Sequence, residues 1–152
     1  MTRIIAFLIL TLSFLSSNAQ KESWTFQDSR FTIDVYVKPV PFGGSTGEYG
    51  RAVHKIEIRN KRKVIQTIHP EIFIHENYLD SNLIFKYEDI NFDGYKDIYL
   101  VNWLSTSLYT THWYWIYDEK SKRFEPDTSL SDLMNVEPDA DKNCIYTYWR
   151  IG

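Results

Sequence analysis

The chain has 152 residues, with 17 Lys and Arg against 20 Asp and Glu and a net charge of −3. At 43% hydrophobic and 16% aromatic residues, it holds enough apolar material to bury a core and too much for a disordered polymer. The mildly acidic balance, without a basic cluster, argues against nucleic acid or an anionic membrane as partner.

Residues 2–20, TRIIAFLILTLSFLSSNAQ, carry one positive charge at Arg3, an apolar run from Ile4 to Leu15, and a small polar tail ending Ser17-Asn18-Ala19. This is the pattern of a secretory signal peptide, residues 1–19, cleaved after Ala19. The apolar run falls short of the roughly 20 residues that a spanning helix needs, so no stable membrane insertion is expected after cleavage. Residues 20–152 then form one domain of net charge about −4, since only Arg3 is lost. The expected location is periplasmic or secreted. Cys144 is the only cysteine, so an internal disulfide is impossible; in the aromatic run CIYTYW it reads as a small hydrophobe and not as a catalytic thiol.

Phe31, Ile33, Val35 and Val37 alternate with polar neighbours, the signature of a half-buried strand. Pro39 and Pro41 are expected to end it, and the glycine-rich stretch PFGGSTGEYG, Pro41 to Gly50, to form a loop without packed structure. Ala52, His54, Ile56 and Ile58 predict a second strand in one phase. Val64 to Ile68 returns across Asn60–Lys63, with Lys61-Arg62-Lys63 as a solvated hairpin tip. A looser stretch, HPEIFIHENYLDSN, leads to strands at Leu83–Glu88, Ile98–Leu104 and Trp113–Tyr117, a turn at Asp118–Arg123, and a closing strand at Cys144–Ile151. Thr128–Met134 alone looks helical, with Ser129 and Asp132 spaced as a weak capping box. The expected class is mostly β: a single antiparallel β-sandwich or small propeller-like sheet with one short helix. No repeat period supports a multi-blade propeller. For the strand that closes the sequence, an edge strand ending in solvent and a C-terminally shortened domain are both open readings.

The stretch DINFDGYKDIYL, Asp89 to Leu100, carries the most chemistry. Asp89, Asn91 and Asp93 stand at alternate positions, Gly94 permits a sharp bend, Tyr95 offers a backbone carbonyl, and Asp97 adds a fourth side-chain oxygen. Hard cations such as Ca2+ take six to eight oxygens, and this spacing is that of positions one to nine of a calcium loop. An EF-hand is excluded, because position twelve is Leu100 and both flanks are strand-like. The loop therefore joins two strands, with Asp97 as a direct ligand. A metal-free turn held by Asn and Asp side chains is the competing reading. Mutual repulsion of three carboxylates favours the ion.

Other chemistries are weakly signalled. The histidines at 54, 69, 75 and 112 form no HxH or HxxxH pair. Glu71 and Glu76 lie in a loop-like stretch, and neither GxSxG nor a phosphate loop is present. An enzyme is not expected.

Taken with KVIQTI before it and YWIYDEKSKRFEPDTSLSDL after it, the run DINFDGYKDIYL resembles the periplasmic lysozyme-inhibitor-like immunity proteins of type IV secretion systems, over roughly Lys63 to Tyr148. The DxNxDGxxD piece is shared with integrin-type calcium loops. The resemblance implies a calcium-stabilised exported domain whose partner is a cell-wall hydrolase, with calcium held at Asp89, Asn91, Asp93, the Tyr95 carbonyl and Asp97. No inhibitory motif matches residue by residue. Apart from the family, GGSTGEYG offers a contact loop with Ser45, Thr46, Glu48 and Tyr49 as partner-binding candidates, and STSLYTTHW, Ser105 to Trp113, offers hydroxyls and aromatics for a glycan. Two functions follow: an inhibitor or immunity-type module against a peptidoglycan hydrolase, or a carbohydrate- or cell-surface-binding adhesion module.

Overall fold

The computed structural model describes residues 22–42, 48–74, 81–104 and 109–148. Strands β1 (Glu22–Gln27), β2 (Thr32–Phe42), β3 (Glu48–Asn60) and β4 (Lys63–Ile68) form one antiparallel sheet in sequence order, and β5 (Ile72–Ile74) joins β3 beside β4. After helix α1 (Ser81–Ile84), strands β6 (Phe85–Glu88), β7 (Asp97–Leu104), β8 (Thr110–Asp118) and β9 (Arg123–Asp127) form a second antiparallel sheet. Helix α2 (Thr128–Ser131) and a small hairpin of β10 (Glu137–Asp139) and β11 (Cys144–Tyr146) complete the described chain. The expected mostly β, antiparallel architecture is what the structure has.

The main core lies between the two sheets. Ile33, Val35, Val53, Ile56 and Ile58 come from the first, and Phe85, Ile98, Leu100, Tyr117 and Phe124 from the second. A second cluster, Ile90, Tyr99, Tyr114 and Val136, lies on the other face of the second sheet, with Leu130 and Ile145 packed against it from α2 and β11. Being covered on both faces, β8 needs apolar residues in both phases, which is why WYWIY is a continuous run and not an alternation.

Several expected boundaries move. β2 continues through Pro39 and Pro41 to Phe42. Among the described residues pairing with β1 stops at Glu22↔Val37, so the prolines lie beyond the described ladder, and the edge of a sheet is where proline is tolerated. The expected loop from Pro41 shortens accordingly, since Pro41 and Phe42 pair with Tyr49 and Glu48. The single phase expected for β3 is broken by a bulge: Tyr36 pairs with Lys55 and Val37 with Val53, which leaves His54 as the extra residue. Val53, Ile56 and Ile58 therefore face the core, and His54 stacks against Tyr36 instead. The looser stretch after β4 holds β5 and α1, and the Leu83–Glu88 strand begins only at Phe85. α2 is shorter than expected and is capped by Asp127, whose carboxylate accepts the Leu130 amide, and not by a Ser129–Asp132 box. The closing strand is described only as Cys144–Tyr146.

Outside the core, a polar network runs across the first sheet. Thr25 Oγ1 donates to Asp34 Oδ1 at 2.8 Å, Asp34 pairs with Arg59, and Glu57 accepts both the Tyr36 hydroxyl at 3.0 Å and Lys55 at 2.7 Å. These are cross-strand neighbours on one face.

Candidate functional site

The Asp89–Lys96 loop connects β6 and β7, whose last paired residues are Glu88 and Asp97. Its backbone takes left-handed conformations at Phe92 (φ 62°) and Gly94 (φ 86°). Glycine suits the second position, since side chains adopt that φ only under strain.

Every acidic or amide side chain in the loop folds back on its backbone. Asp89 accepts the amides of Asp93 at 3.2 Å and Gly94 at 2.8 Å. Asn91 Oδ1 accepts the Asp93 amide at 3.1 Å, and Asp93 Oδ1 accepts that of Tyr95 at 2.8 Å. Asn91 Nδ2 donates to Asp93 Oδ2 at 2.9 Å. Asp89, Asn91 and Asp93 are thus brought together, as their spacing predicts.

Asp97 sits differently. Its side chain is 0% exposed, and its two oxygens accept the amides of Ile90 at 3.0 Å and Tyr117 at 2.9 Å. It ties the start of the loop to β8. Burial pushes its pKa up to about 6; the two amides oppose that shift, and the Asp93 and Asp89 charges add to it.

The donor set of three carboxylates and an amide oxygen suits a hard cation. To admit one, the Asn91 amide must turn Oδ1 inward and release the Nδ2–Asp93 contact. Asp89 and Asp97 each hold two backbone amides, one on each oxygen, so each would have to release an amide or share an oxygen between amide and ion. The same residues form a turn held by Asn and Asp side chains, and among the described residues no group of three or more Asp, Glu, His or Cys side chains converges on one point.

The loop reaches beyond itself through Tyr95. The Tyr95 ring lies 5.2 Å from that of Tyr117, and the Arg30 guanidinium stands over it at 4.1 Å. Arg30 Nη1 also donates to the Gly94 carbonyl at 3.4 Å. A hydrogen bond from the Tyr95 hydroxyl to Glu119 holds that phenol above its usual pKa. The turn that supplies Arg30 is built by Asp28, whose Oδ1 accepts the amides of Arg30 at 2.7 Å and Phe31 at 2.9 Å, while Oδ2 accepts the Tyr87 hydroxyl at 3.0 Å. The sequence reading missed Asp28 and Arg30. The signal was the short polar run Asp28-Ser29-Arg30 between two strand-forming runs.

Compared with known proteins, the chain matches no family model, no curated protein and no solved structure.

The contact-loop candidates lie elsewhere. Ser45 and Thr46 fall outside the described residues, as do residues 105–108 of the second candidate loop. Glu48 and Tyr49 belong to β3, at the end of the first sheet opposite the Asn60–Lys63 turn. They are therefore not joined to the Asp-rich loop, which meets the Asn60–Lys61 turn across a shared cleft. Glu71 is exposed and paired with Lys38 at 2.9 Å, and Glu76 lies outside the described residues. No helix among the described residues is long and apolar enough to cross a membrane.

Proposed function

We propose that the chain is an exported, non-catalytic binding module in which the Asp89–Asp97 loop holds a structural calcium ion, and that its partner is a peptidoglycan hydrolase of lysozyme type. The signal-peptide pattern of residues 1–19 supports export to the periplasm or beyond, and the resemblance carried by DINFDGYKDIYL supports the partner. The observation that carries the binding role is Tyr95. It belongs to the loop, yet its ring forms part of a cleft at the turn end of both sheets, so an ion that orders the loop also orders a ligand-facing wall.

A second reading is a carbohydrate- or cell-surface-binding module, favoured by the mixed polar and aromatic lining of that cleft. Purified protein titrated against a panel of lysozyme-type hydrolases, with and without calcium, tests the first reading. Stoichiometric, calcium-strengthened inhibition is the expected result, and no inhibition of any member, combined with retention on insoluble peptidoglycan, transfers the case to the second.

A further inference from the structure

The cleft at the turn end is formed by four connections that arrive from separate parts of the chain. The β1–β2 turn supplies Asp28 to Phe31, the β3–β4 turn Asn60 and Lys61, the β6–β7 loop Tyr95, and the β8–β9 turn Glu119 and Lys122. Its volume is about 630 Å³, within the range of sites that hold small ligands.

The charges in the cleft are unevenly committed. Asp28 is occupied by two amides and a phenol. Glu119 is paired with Lys122 and accepts the Tyr95 hydroxyl. The Glu119 charge is offset by Lys122, whereas Asp28, bonded to neutral donors, stays anionic, so the lining carries three cations, Arg30, Lys61 and Lys122, against two acids. On the cationic side, Lys61 has no ion pair among the described residues and stands exposed in its turn at φ 57°. Arg30 is exposed and stands over the Tyr95 ring, with one long hydrogen bond to a carbonyl, which leaves most of its donors free. A guanidinium already fixed on an aromatic ring loses little freedom when it grips a planar carboxylate through two parallel hydrogen bonds.

Around this cationic pair the lining is polar. Gln27, Ser29, Thr32 and Asn60 present amides and hydroxyls, groups that match sugar hydroxyls. Most of the walls are turns, and of the edge strand β1 only its last residue, Gln27, reaches the cleft, which leaves little strand edge on which an extended peptide could add itself.

We propose that the cleft binds a carboxylate-bearing oligosaccharide, with Arg30 as the carboxylate clamp, Lys61 as the second cation and Tyr95 as the platform that holds Arg30. This inference rests on the glycan-binding reading above and names its site and ligand class. The chemistry is recognition alone, and no bond is made or broken.

The test is calorimetric titration of the purified chain with a uronic-acid trisaccharide, the matching neutral trisaccharide and an acidic peptide of equal charge. The acidic sugar is expected to bind, with affinity falling as salt rises. The neutral sugar should bind at least about tenfold more weakly, and Arg30→Gln should weaken the acidic sugar by about tenfold or more, the loss of one charge-assisted contact. Lys61→Gln, at an exposed turn position where folding is not at stake, should weaken it by about threefold. No binding of the acidic sugar, equal binding of the neutral one, unchanged affinity in both variants, or tighter binding of the peptide would each overturn the proposal. Retention on whole peptidoglycan that persists undiminished in the Arg30→Gln and Lys61→Gln variants overturns this cleft while leaving the glycan-binding reading itself standing.

Discussion

Asp97 and Tyr117 are joined by a hydrogen bond of 2.9 Å from the Tyr117 amide to Asp97 Oδ1, inside the protein and across 20 residues of sequence. With the Ile90 amide on its other oxygen, Asp97 closes the Asp-rich loop onto β8. Replacing it by alanine leaves two buried amides without acceptors. Asp97→Ala should destabilise the fold by about 2 to 5 kcal/mol, measured by urea unfolding in calcium-free buffer. A loss below about 0.5 kcal/mol would show that water or backbone replaces the carboxylate.

Calcium should raise the melting temperature of the wild-type chain. For an exported module with a dissociation constant of about 0.1 to 1 mM, millimolar calcium adds about 0.4 to 1.4 kcal/mol of stability by mass action. Asp93→Ala, which removes a solvent-exposed donor, should abolish the response and leave calcium-free stability nearly unchanged. If wild type and variant melt alike at millimolar calcium, the loop is only a turn.

His112 sets a pH dependence. Its ring packs against Tyr99 and Tyr114, and its Nδ1 is buried without a hydrogen-bond partner. Burial, with a smaller contribution from Lys86, pulls its pKa down to about 4. A histidine whose folded pKa is depressed contributes stability that is complete above its unfolded value of about 6.5 and is lost as pH falls toward 4. The loss is at most about 3 kcal/mol and less for a ring that keeps some solvent contact. His112→Phe should flatten the melting-temperature profile between pH 6.5 and 4, and an unchanged slope would assign the effect to other groups.

The Asp34–Arg59 pair stabilises the first sheet. The Asp34 side chain is only 9% exposed, and its second partner is Thr25. Arg59→Met should destabilise by about 1 to 3 kcal/mol by stranding a nearly buried carboxylate. Asp34→Asn combined with Arg59→Met should cost less than the sum of the two single changes. Strict additivity in that double-mutant cycle would mean the ion pair contributes nothing.

Local chemistry made much of this protein legible in its sequence. The alternation Phe31, Ile33, Val35, Val37 specified a strand with one buried face, and Asn60–Lys63 between two apolar runs specified a hairpin. The spacing of Asp89, Asn91, Asp93 and Gly94 specified a tight loop of oxygen donors, because side chains two apart in such a loop converge whatever surrounds them. Features that depend on neighbours distant in sequence were set by the tertiary structure. Pro39 and Pro41 stay within β2 through their pairing with β3, beyond the described ladder with β1, and His54 leaves the core phase because the register with β2 slips at that point. Asp97 looks like a fourth ligand in a linear reading, and that its carboxylate also ties the loop to β8 through the Tyr117 amide depends on a strand 20 residues away. Arg30 and Lys61 share a cleft with Tyr95 only because antiparallel pairing brings the turns of both sheets to one end, and no pattern within a single segment encodes that placement.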